Sequence, residues 1–187
     1  MRLHDFDPPA LRRQFSRIAL TLSLCSAAAL SSLGSAAEND DATLSVIMAD
    51  IIMPAADVLW QSVYPDVGPD NEEILVGPAT DEDWQGLRKA AASLDASADL
   101  LLNPDLQVRD PALEVETPPG ELSPEQIAEL MRTQQPAWAA HTAVLRATAQ
   151  QALAIVDARD TEALYDLTGG LDASCTSCHQ QFWYPEQ

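Results

Sequence analysis

The C-terminal stretch of the chain, residues 160–185, reads DTEALYDLTGGLDASCTSCHQQFWYP and governs the fold expected for the whole molecule. Its apolar side chains and cysteines recur at steps of three and four residues, which places them on one face of an α-helix. These residues are Leu164, Leu167, Leu171, Cys175, Cys178 and Phe182. Asp160 can cap the first turn and Pro185 ends the pattern. The stretch therefore predicts an amphipathic helix that buries a single face.

Three segments further upstream show the same periodicity. They cover residues 43–64, 80–101 and 123–156. A connection rich in proline and acidic residues, residues 103–122, separates the last two. No run of alternating apolar residues bounded by turns predicts a sheet. We therefore expect an all-α fold, an antiparallel four-helix bundle in which each helix buries one apolar stripe.

Capping residues and prolines mark the expected starts and bends of these helices. Thr80 precedes three acidic residues, a combination that favours a helix N-terminus. Ser123 is followed by a proline and, three residues on, by Gln126, which is the pattern of a capping box. Pro54 and Pro136 lie inside the first and third helices and should bend them, because proline lacks a backbone N–H.

Charge and cysteine content limit the classes of function. The chain has 187 residues and a formal net charge of -19, from 10 basic and 29 acidic side chains. That length suits one globular domain. The acidity disfavours binding to nucleic acid or to anionic membranes, because both carry negative charge. The 3 cysteines are too few for the disulfide framework of a small secreted scaffold.

Residues 1–37 have the composition of an export signal. Arginines precede an apolar stretch, residues 18–33, and small residues follow it. The stretch is rich in Ser and Ala and falls short of the ~20 strongly apolar residues of a membrane span. We therefore expect cleavage near residue 37, a mature domain of residues 38–187 in the periplasm, and no membrane insertion afterwards. The arginine pair also fits a twin-arginine signal, so the export route stays open.

Cleavage would make the protein more acidic. It removes four of the 10 basic and two of the 29 acidic residues, which leaves 6 basic and 27 acidic residues and a formal net charge of -21. It also removes Cys25, so the mature chain keeps only Cys175 and Cys178. Any cysteine chemistry in the mature protein must therefore depend on this pair.

Cys175, Cys178 and His179 form the C-x-x-C-H pattern of c-type haem attachment. At about 100° per residue, Cys178 lies roughly 60° to one side of Cys175 and His179 roughly 40° to the other. All three side chains leave one face of one helical turn. The two thiols can add to the vinyl groups of a porphyrin as thioethers, while the imidazole points at the iron. The motif predicts one covalent haem c.

Three other readings of the cysteine pair stay open. A redox-active disulfide usually lies at the start of a helix after a strand, whereas this pair lies at the far end of a helix. A closed zinc site needs four ligands, and beyond the motif the mature chain offers only His141. A structural disulfide would leave His179 unexplained.

With its haem-attachment motif on the last helix and a first helix rich in Met, the chain resembles the class II c-type cytochromes, which include cytochrome c′ and its low-spin relatives. The likeness in architecture covers nearly all of residues 38–187, but only the C-x-x-C-H motif is specific. The resemblance implies that His179 is the proximal iron ligand and that the opposite axial position faces the first helix. Low-spin, electron-transfer members place a Met there, whereas five-coordinate members leave the iron open and bind small gases.

Met48 is the candidate for the second axial ligand. It lies near the centre of the predicted stripe of the first helix, whereas Met53 points about 140° away from it. A Met at this spacing also commonly fills a core. Met131 on the third helix and His141 at the edge of that helix's stripe are the alternatives to Met48.

The functional hypothesis is a monohaem periplasmic electron carrier, not an enzyme, whose iron is held by His179 and Met48. One alternative is a five-coordinate protein that binds NO or CO, and a second is an exported helical interaction module without haem. The acidic surface predicts a redox partner with a basic patch and association that weakens as salt rises. The resemblance also implies pairing through helices one and two, which would make a homodimer.

Overall fold

The computed structural model describes residues 42–113 and 116–185, and this part of the chain is predominantly helical. It begins with three consecutive elements, α1 (Leu44–Val46), a π-helical turn (Ile47–Ile52) and α2 (Met53–Trp60), here called the first helical segment. The later helices are α3 (Asp81–Leu101), α4 (Pro124–Thr133), α5 (Gln135–Ala158) and α6 (Thr161–Phe182). None of the helices in the described ranges has the length and apolar character that crossing a membrane requires. The predicted export signal, residues 1–37, lies outside the described residues.

Side-chain caps start the helices where the sequence predicts them. The backbone N–H of Asp83 donates to the hydroxyl of Thr80 at 3.1 Å, and the Asp83 carboxylate accepts from the Thr80 N–H at 2.8 Å. Ser123 and Gln126 make the same reciprocal pair at the start of α4. The side chain of Asp160 caps α6. Each cap satisfies N–H groups that have no partner within the helix, which confirms these predicted starts.

A β-hairpin corrects the prediction that the chain has no sheet. Strands β1 (Tyr64–Val67) and β2 (Glu73–Val76) pair antiparallel, with Tyr64 opposite Val76. Seven of the eight strand residues are exposed and the eighth is half-buried, so no alternation of buried and exposed side chains marks the strands. The first helical segment accordingly ends at Trp60, before the predicted end at residue 64.

The predicted third helix is interrupted at Gln134, which ends α4 and precedes α5 with φ -114° and ψ 34°. Pro136 has no N–H to donate to the carbonyl of Arg132, and its ring would clash with that carbonyl in a continuous helix. The N–H groups of Ala137 and Trp138 donate instead to the carbonyl of Gln134, at 2.9 and 3.0 Å. The predicted bend at Pro136 is therefore a break between two helices.

Interhelical contacts set the directions of the later helices. Arg88 near the start of α3 pairs with Asp157 at the end of α5, and Asp99 near the end of α3 pairs with Arg146. Helices α3 and α5 therefore run antiparallel. Helix α6 packs against α5 after a two-residue connection, and Gln181 near its end contacts Gln134 just before the start of α5. Helices α5 and α6 are thus antiparallel, so α3 and α6 point in the same direction.

Small side chains let α3 and α5 approach closely. Ala91 and Ala98 of α3 and Ala149 of α5 are fully buried, and Ala152 is 1% exposed. Alanine carries no side-chain bulk beyond Cβ, so such contacts allow the two backbones to pack tightly. The remaining core consists mainly of leucines from α3, α5 and α6, together with apolar residues of the first helical segment.

Candidate functional site

The C-x-x-C-H motif lies in the last two turns of α6. Cys175 and Cys178 are free thiols, half-buried, and packed against the hydrophobic core. Ser174 before them and Phe182 after them are buried, so the motif continues the core-facing side of the helix. His179 is half-buried beside the two thiols. One side of the helix end therefore presents two sulfur atoms and an imidazole, as the spacing predicts.

Burial favours the uncharged form of all three groups. It raises the pKa of Cys178 to about 11, with a smaller contribution from neighbouring Cys175. The pKa of the Cys175 thiol is raised by burial and then by the charge of Asp172. Burial lowers the pKa of His179. Reactive redox cysteines need a lowered pKa, so this environment argues against a thiol–disulfide active site, whereas a neutral imidazole suits metal binding.

The chain turns back over His179 directly after α6 ends. The hydroxyl of Tyr184 lies 3.3 Å from Nδ1 of His179, and the two rings have centroids 5.8 Å apart. Trp183 meets the imidazole edge-to-face at 5.0 Å. The hydrogen bond at Nδ1 has no signal in the helical periodicity of the sequence, because Tyr184 lies beyond the end of the helix. Nε2 remains as the ring nitrogen for a metal.

The connection before α4 anchors this C-terminal turn. The backbone N–H of Leu122 donates to the carbonyl of Trp183 at 2.8 Å, and the indole N–H of Trp183 donates to the carboxylate of Glu121 at 2.7 Å. The side chain of Gln181 also donates to Gln134 at the end of α4. Because both flanks of α4 meet residues 181–183, this short helix crosses the end of the molecule that carries the motif.

The direction of the first helical segment determines where Met48 lies along the axis of α6. The backbone N–H of Leu44 donates to the carbonyl of Gln107, beyond the end of α3, at 2.7 Å. The segment therefore starts beside the end of α3, and α2 packs along α3. It runs opposite to α3 and, in consequence, opposite to α6.

One contact sets the register between this segment and α6. The indole N–H of Trp60 donates to the carbonyl of Thr168 at 3.4 Å. His179 lies 11 residues after Thr168, about 16 Å along α6 and only about 20° around it. Met48 lies 12 residues before Trp60, about 16–18 Å in the opposite chain direction. This register brings Met48 and His179 to similar positions along the axis of α6. His179 points to the side of α6 on which the first helical segment lies.

The π-helical turn corrects the predicted position of Met48 within its apolar stripe. The N–H of Met53 donates to the carbonyl of Met48, five residues back, and the wider turn accommodates the ring of Pro54. Ile47 and Ile52 are buried at 1% and 6% exposure, whereas Met48 is half-buried. Met48 therefore lies at the edge of the stripe and not at its centre. Met53, at 49% exposure, points outward as predicted.

Half-buried apolar side chains from four parts of the chain, all in segments that lie towards this end of the molecule, pack against the core. We call them the half-buried cluster: Met48, Leu106, Val108, Ile127, Leu130, Met131, Cys175 and Cys178. Each packs against the core while retaining some exposure. Two thiols, one imidazole and an apolar, partly open surround form the donor set and the environment that a covalently held haem requires.

His141 lies on the other side of α6. Its Nε2 is 2.8 Å from the side-chain oxygen of Gln181, and its Nδ1 is 3.4 Å from the hydroxyl of Ser177. Ser177 and Gln181 are each two residues from His179, about 160° around the helix. This arrangement argues against His141 as an axial ligand opposite His179. Met131 stays in the half-buried cluster as the alternative to Met48.

Other features of the described residues lie away from the motif. An open depression is lined by Leu75, Gly77, Pro78, Thr161 and Tyr165, among others, at the opposite end of α6. A second one includes Arg109 and Pro124, and neither depression contains a motif residue. In residues 42–113 and 116–185, no three His, Cys, Asp or Glu side chains are grouped so that they could hold a metal ion. The porphyrin itself would supply the four equatorial nitrogens of a haem, so a haem needs no such group.

The site combines two thiols on one helical turn, an imidazole whose Nδ1 lies within hydrogen-bonding distance of Tyr184, and an apolar surround that includes two methionines. Comparisons of this chain with protein-family models, with curated proteins and with solved structures find no match.

Proposed function

We propose that the protein is a monohaem electron carrier of the class II c-type cytochrome kind, exported to the periplasm. In this proposal the first helical segment, α3, α5 and α6 form an antiparallel four-helix bundle. Cys175 and Cys178 hold one haem c through thioether bonds, and His179 supplies the proximal ligand. The observation that carries the proposal is the placement of all three groups on one side of the last turns of α6.

A bound haem would supply one-electron exchange between ferric and ferrous iron. The residues of this chain attach the cofactor and shield it from water. The two thiols fix the cofactor to one helix, and the half-buried cluster excludes water from its faces. Exclusion of water favours the ferrous state, in which the iron centre carries less positive charge, whereas the acidic surface favours the ferric state.

Met48 is the proposed second axial ligand. Three features support this assignment: Met48 and His179 lie at similar positions along α6, Met48 is half-buried in the apolar surround, and its thioether side chain is flexible enough to approach the iron. A specific observation also favours the five-coordinate, gas-binding alternative: Met48 packs against the core as an ordinary apolar side chain would. In that case the iron keeps an open position that NO or CO can occupy.

The direct test is the absorbance and mass of the purified full-length product, expressed in a bacterium that attaches haem c. We expect one haem that remains with the polypeptide in denaturant, sharp low-spin bands on reduction, and no change when CO is added. High-spin bands in the reduced spectrum that change when CO is added would support the five-coordinate, gas-binding alternative. A product without covalent haem would contradict the proposed function.

The surface charge supports a basic redox partner. Four arginines form ion pairs with acidic side chains, namely Arg88 with Asp157, Arg132 with Glu129, Arg146 with Asp99, and Arg159 with Asp81. They are four of the 6 basic residues in residues 38–187. Most of the positive charge is thus already neutralised, and the acidic excess dominates the field that a partner meets.

Small charged redox reagents test this field without a known partner. Reduction of the ferric protein by hexaammineruthenium(II), a cation, should slow about tenfold between 10 mM and 500 mM salt, because screening removes the attraction. Oxidation of the ferrous protein by ferricyanide, an anion, should accelerate over the same range. Stopped-flow absorbance measures both rates.

Two variants, each of which removes one exposed carboxylate, show which part of the surface attracts the cationic reagent. Asp172 is exposed and lies on the same side of α6 as His179, whereas Asp70 is exposed in the turn of the hairpin. Asp172→Asn should slow the reaction with the cation more than Asp70→Asn does, although both remove one negative charge. Equal rates for the two variants would show that the field near the motif does not steer the reagent.

A further inference from the structure

We infer that Tyr184 is a positioning residue for His179: its hydroxyl oxygen accepts a hydrogen bond from Nδ1–H, which directs Nε2 towards the iron and lowers the reduction potential. This inference rests on the proposed function. It concerns a residue outside the C-x-x-C-H motif and a contact that only the structure reveals.

The geometry of the chain end makes the contact. In a continued α-helix, residue 184 would lie about 140° around the axis from residue 179, too far to reach its ring. Instead α6 ends at Phe182, and Trp183 leaves the helix with φ -126° and ψ -53°. The N–H of Tyr184 donates to the carbonyl of His179 at 2.9 Å, which brings its side chain back over the imidazole. The hydroxyl then lies 3.3 Å from Nδ1.

A contact distant in sequence holds this turn in place. The backbone carbonyl of Trp183 accepts a hydrogen bond from Leu122, which lies 61 residues earlier. The indole N–H of Trp183 donates to Glu121, which lies 62 residues earlier. The position of Tyr184 is therefore set by the connection before α4 as well as by the local chain. Tyr184 is half-buried, so water competes less for the hydroxyl than it would at an exposed tyrosine.

Ligand chemistry gives the direction of the hydrogen bond. A neutral imidazole that binds iron through Nε2 must carry its proton on Nδ1, so Nδ1 donates and the tyrosine oxygen accepts. The hydroxyl keeps its own proton for another acceptor. A hydrogen bond at this nitrogen fixes the ring orientation and makes the coordinating nitrogen a stronger donor. A stronger donor stabilises ferric iron, which lowers the reduction potential.

The test is Tyr184→Phe in the holoprotein, which removes the acceptor and keeps the ring. We expect the reduction potential to rise. In the diamagnetic ferrous protein, the ring N–H of His179 should exchange with solvent about fivefold faster by NMR, the factor that corresponds to a hydrogen bond of about 1 kcal/mol. Tyr165→Phe is the matched control, because Tyr165 is an exposed tyrosine near the other end of α6. It should change neither quantity.

A second variant keeps the inference testable if Tyr184→Phe disturbs the fold. Trp183→Phe keeps an aromatic edge against His179 but loses the N–H that Glu121 binds, without changing the charge. It should raise the reduction potential and accelerate exchange of the His179 ring N–H, as Tyr184→Phe does, but by smaller amounts. Unchanged potential and exchange in a Tyr184→Phe protein that retains covalent haem would overturn the inference. Absence of covalent haem from the unaltered protein would instead overturn the proposed function.

Discussion

Replacing both Cys175 and Cys178 by serine should abolish covalent haem attachment. Serine has nearly the same size as cysteine, but its hydroxyl does not form the thioether, and residues 38–187 contain no other thiol. The expected result is complete loss of haem from the denatured polypeptide, measured by intact mass and by haem staining after denaturing electrophoresis. Each single variant should retain at most one thioether and show a shifted reduced spectrum, because one vinyl group remains conjugated to the porphyrin.

Ser177→Ala is the matched control for this experiment. Ser177 lies between the two cysteines in the same helical turn, is exposed, and hydrogen-bonds to the carbonyl of Ser174. Its replacement perturbs the same turn without removing a proposed attachment atom, so haem content should stay at the level of the unaltered protein. Haem that stays covalently bound in the double serine variant would show that attachment uses a different residue, and the proposed site would be wrong.

Met48→Ala should convert the iron from six-coordinate low spin to a state with an open or water-filled position. If the thioether is the ligand, its removal eliminates the low-spin spectrum entirely and allows CO to bind. The reduction potential should fall, because a thioether favours ferrous iron. Loss of the side chain should also destabilise the fold by about 1–2 kcal/mol, less than for a fully buried methionine. Reduced spectra with and without CO, together with thermal unfolding, measure these effects.

Two methionine variants serve as comparisons. Met53→Ala removes an exposed thioether from the same helical segment and should leave the spectrum unchanged. Met131→Ala tests the alternative ligand in the half-buried cluster. A low-spin spectrum that survives Met48→Ala but disappears in Met131→Ala would reassign the ligand to α4. A spectrum without low-spin bands in the unaltered protein would favour the gas-binding alternative.

Local signals in the sequence were sufficient for the starts of α3, α4 and α6 and for the shared face of the C-x-x-C-H motif. Thr80 with Asp83 and Ser123 with Gln126 are capping patterns whose atoms lie close in sequence, so the start of a helix can be predicted from a few residues. The C-x-x-C-H spacing works in the same way, since one helical turn determines where its three side chains point. These features do not depend on tertiary packing.

Features that depend on tertiary packing were missed or misplaced. The hairpin of residues 64–76 lies on the surface without a buried face, and strand prediction relies on such a face. The phase of the first helical segment changes at the π-helical turn, so a constant 100° per residue misplaces Met48. The contact between Tyr184 and His179 requires Glu121 and Leu122 to hold the chain end, a pairing across some 60 residues that no local pattern encodes.

Helix α4 gives the haem end of the proposed cytochrome a distinct dynamic character. None of its ten residues is fully buried, whereas the facing helices α3 and α5 meet through fully buried alanines. Local opening costs least where few apolar contacts are lost, so we expect α4 to open at a lower free energy than α3 or α5. Hydrogen exchange of the backbone amides should accordingly be faster in α4 than in the buried parts of α3 and α5.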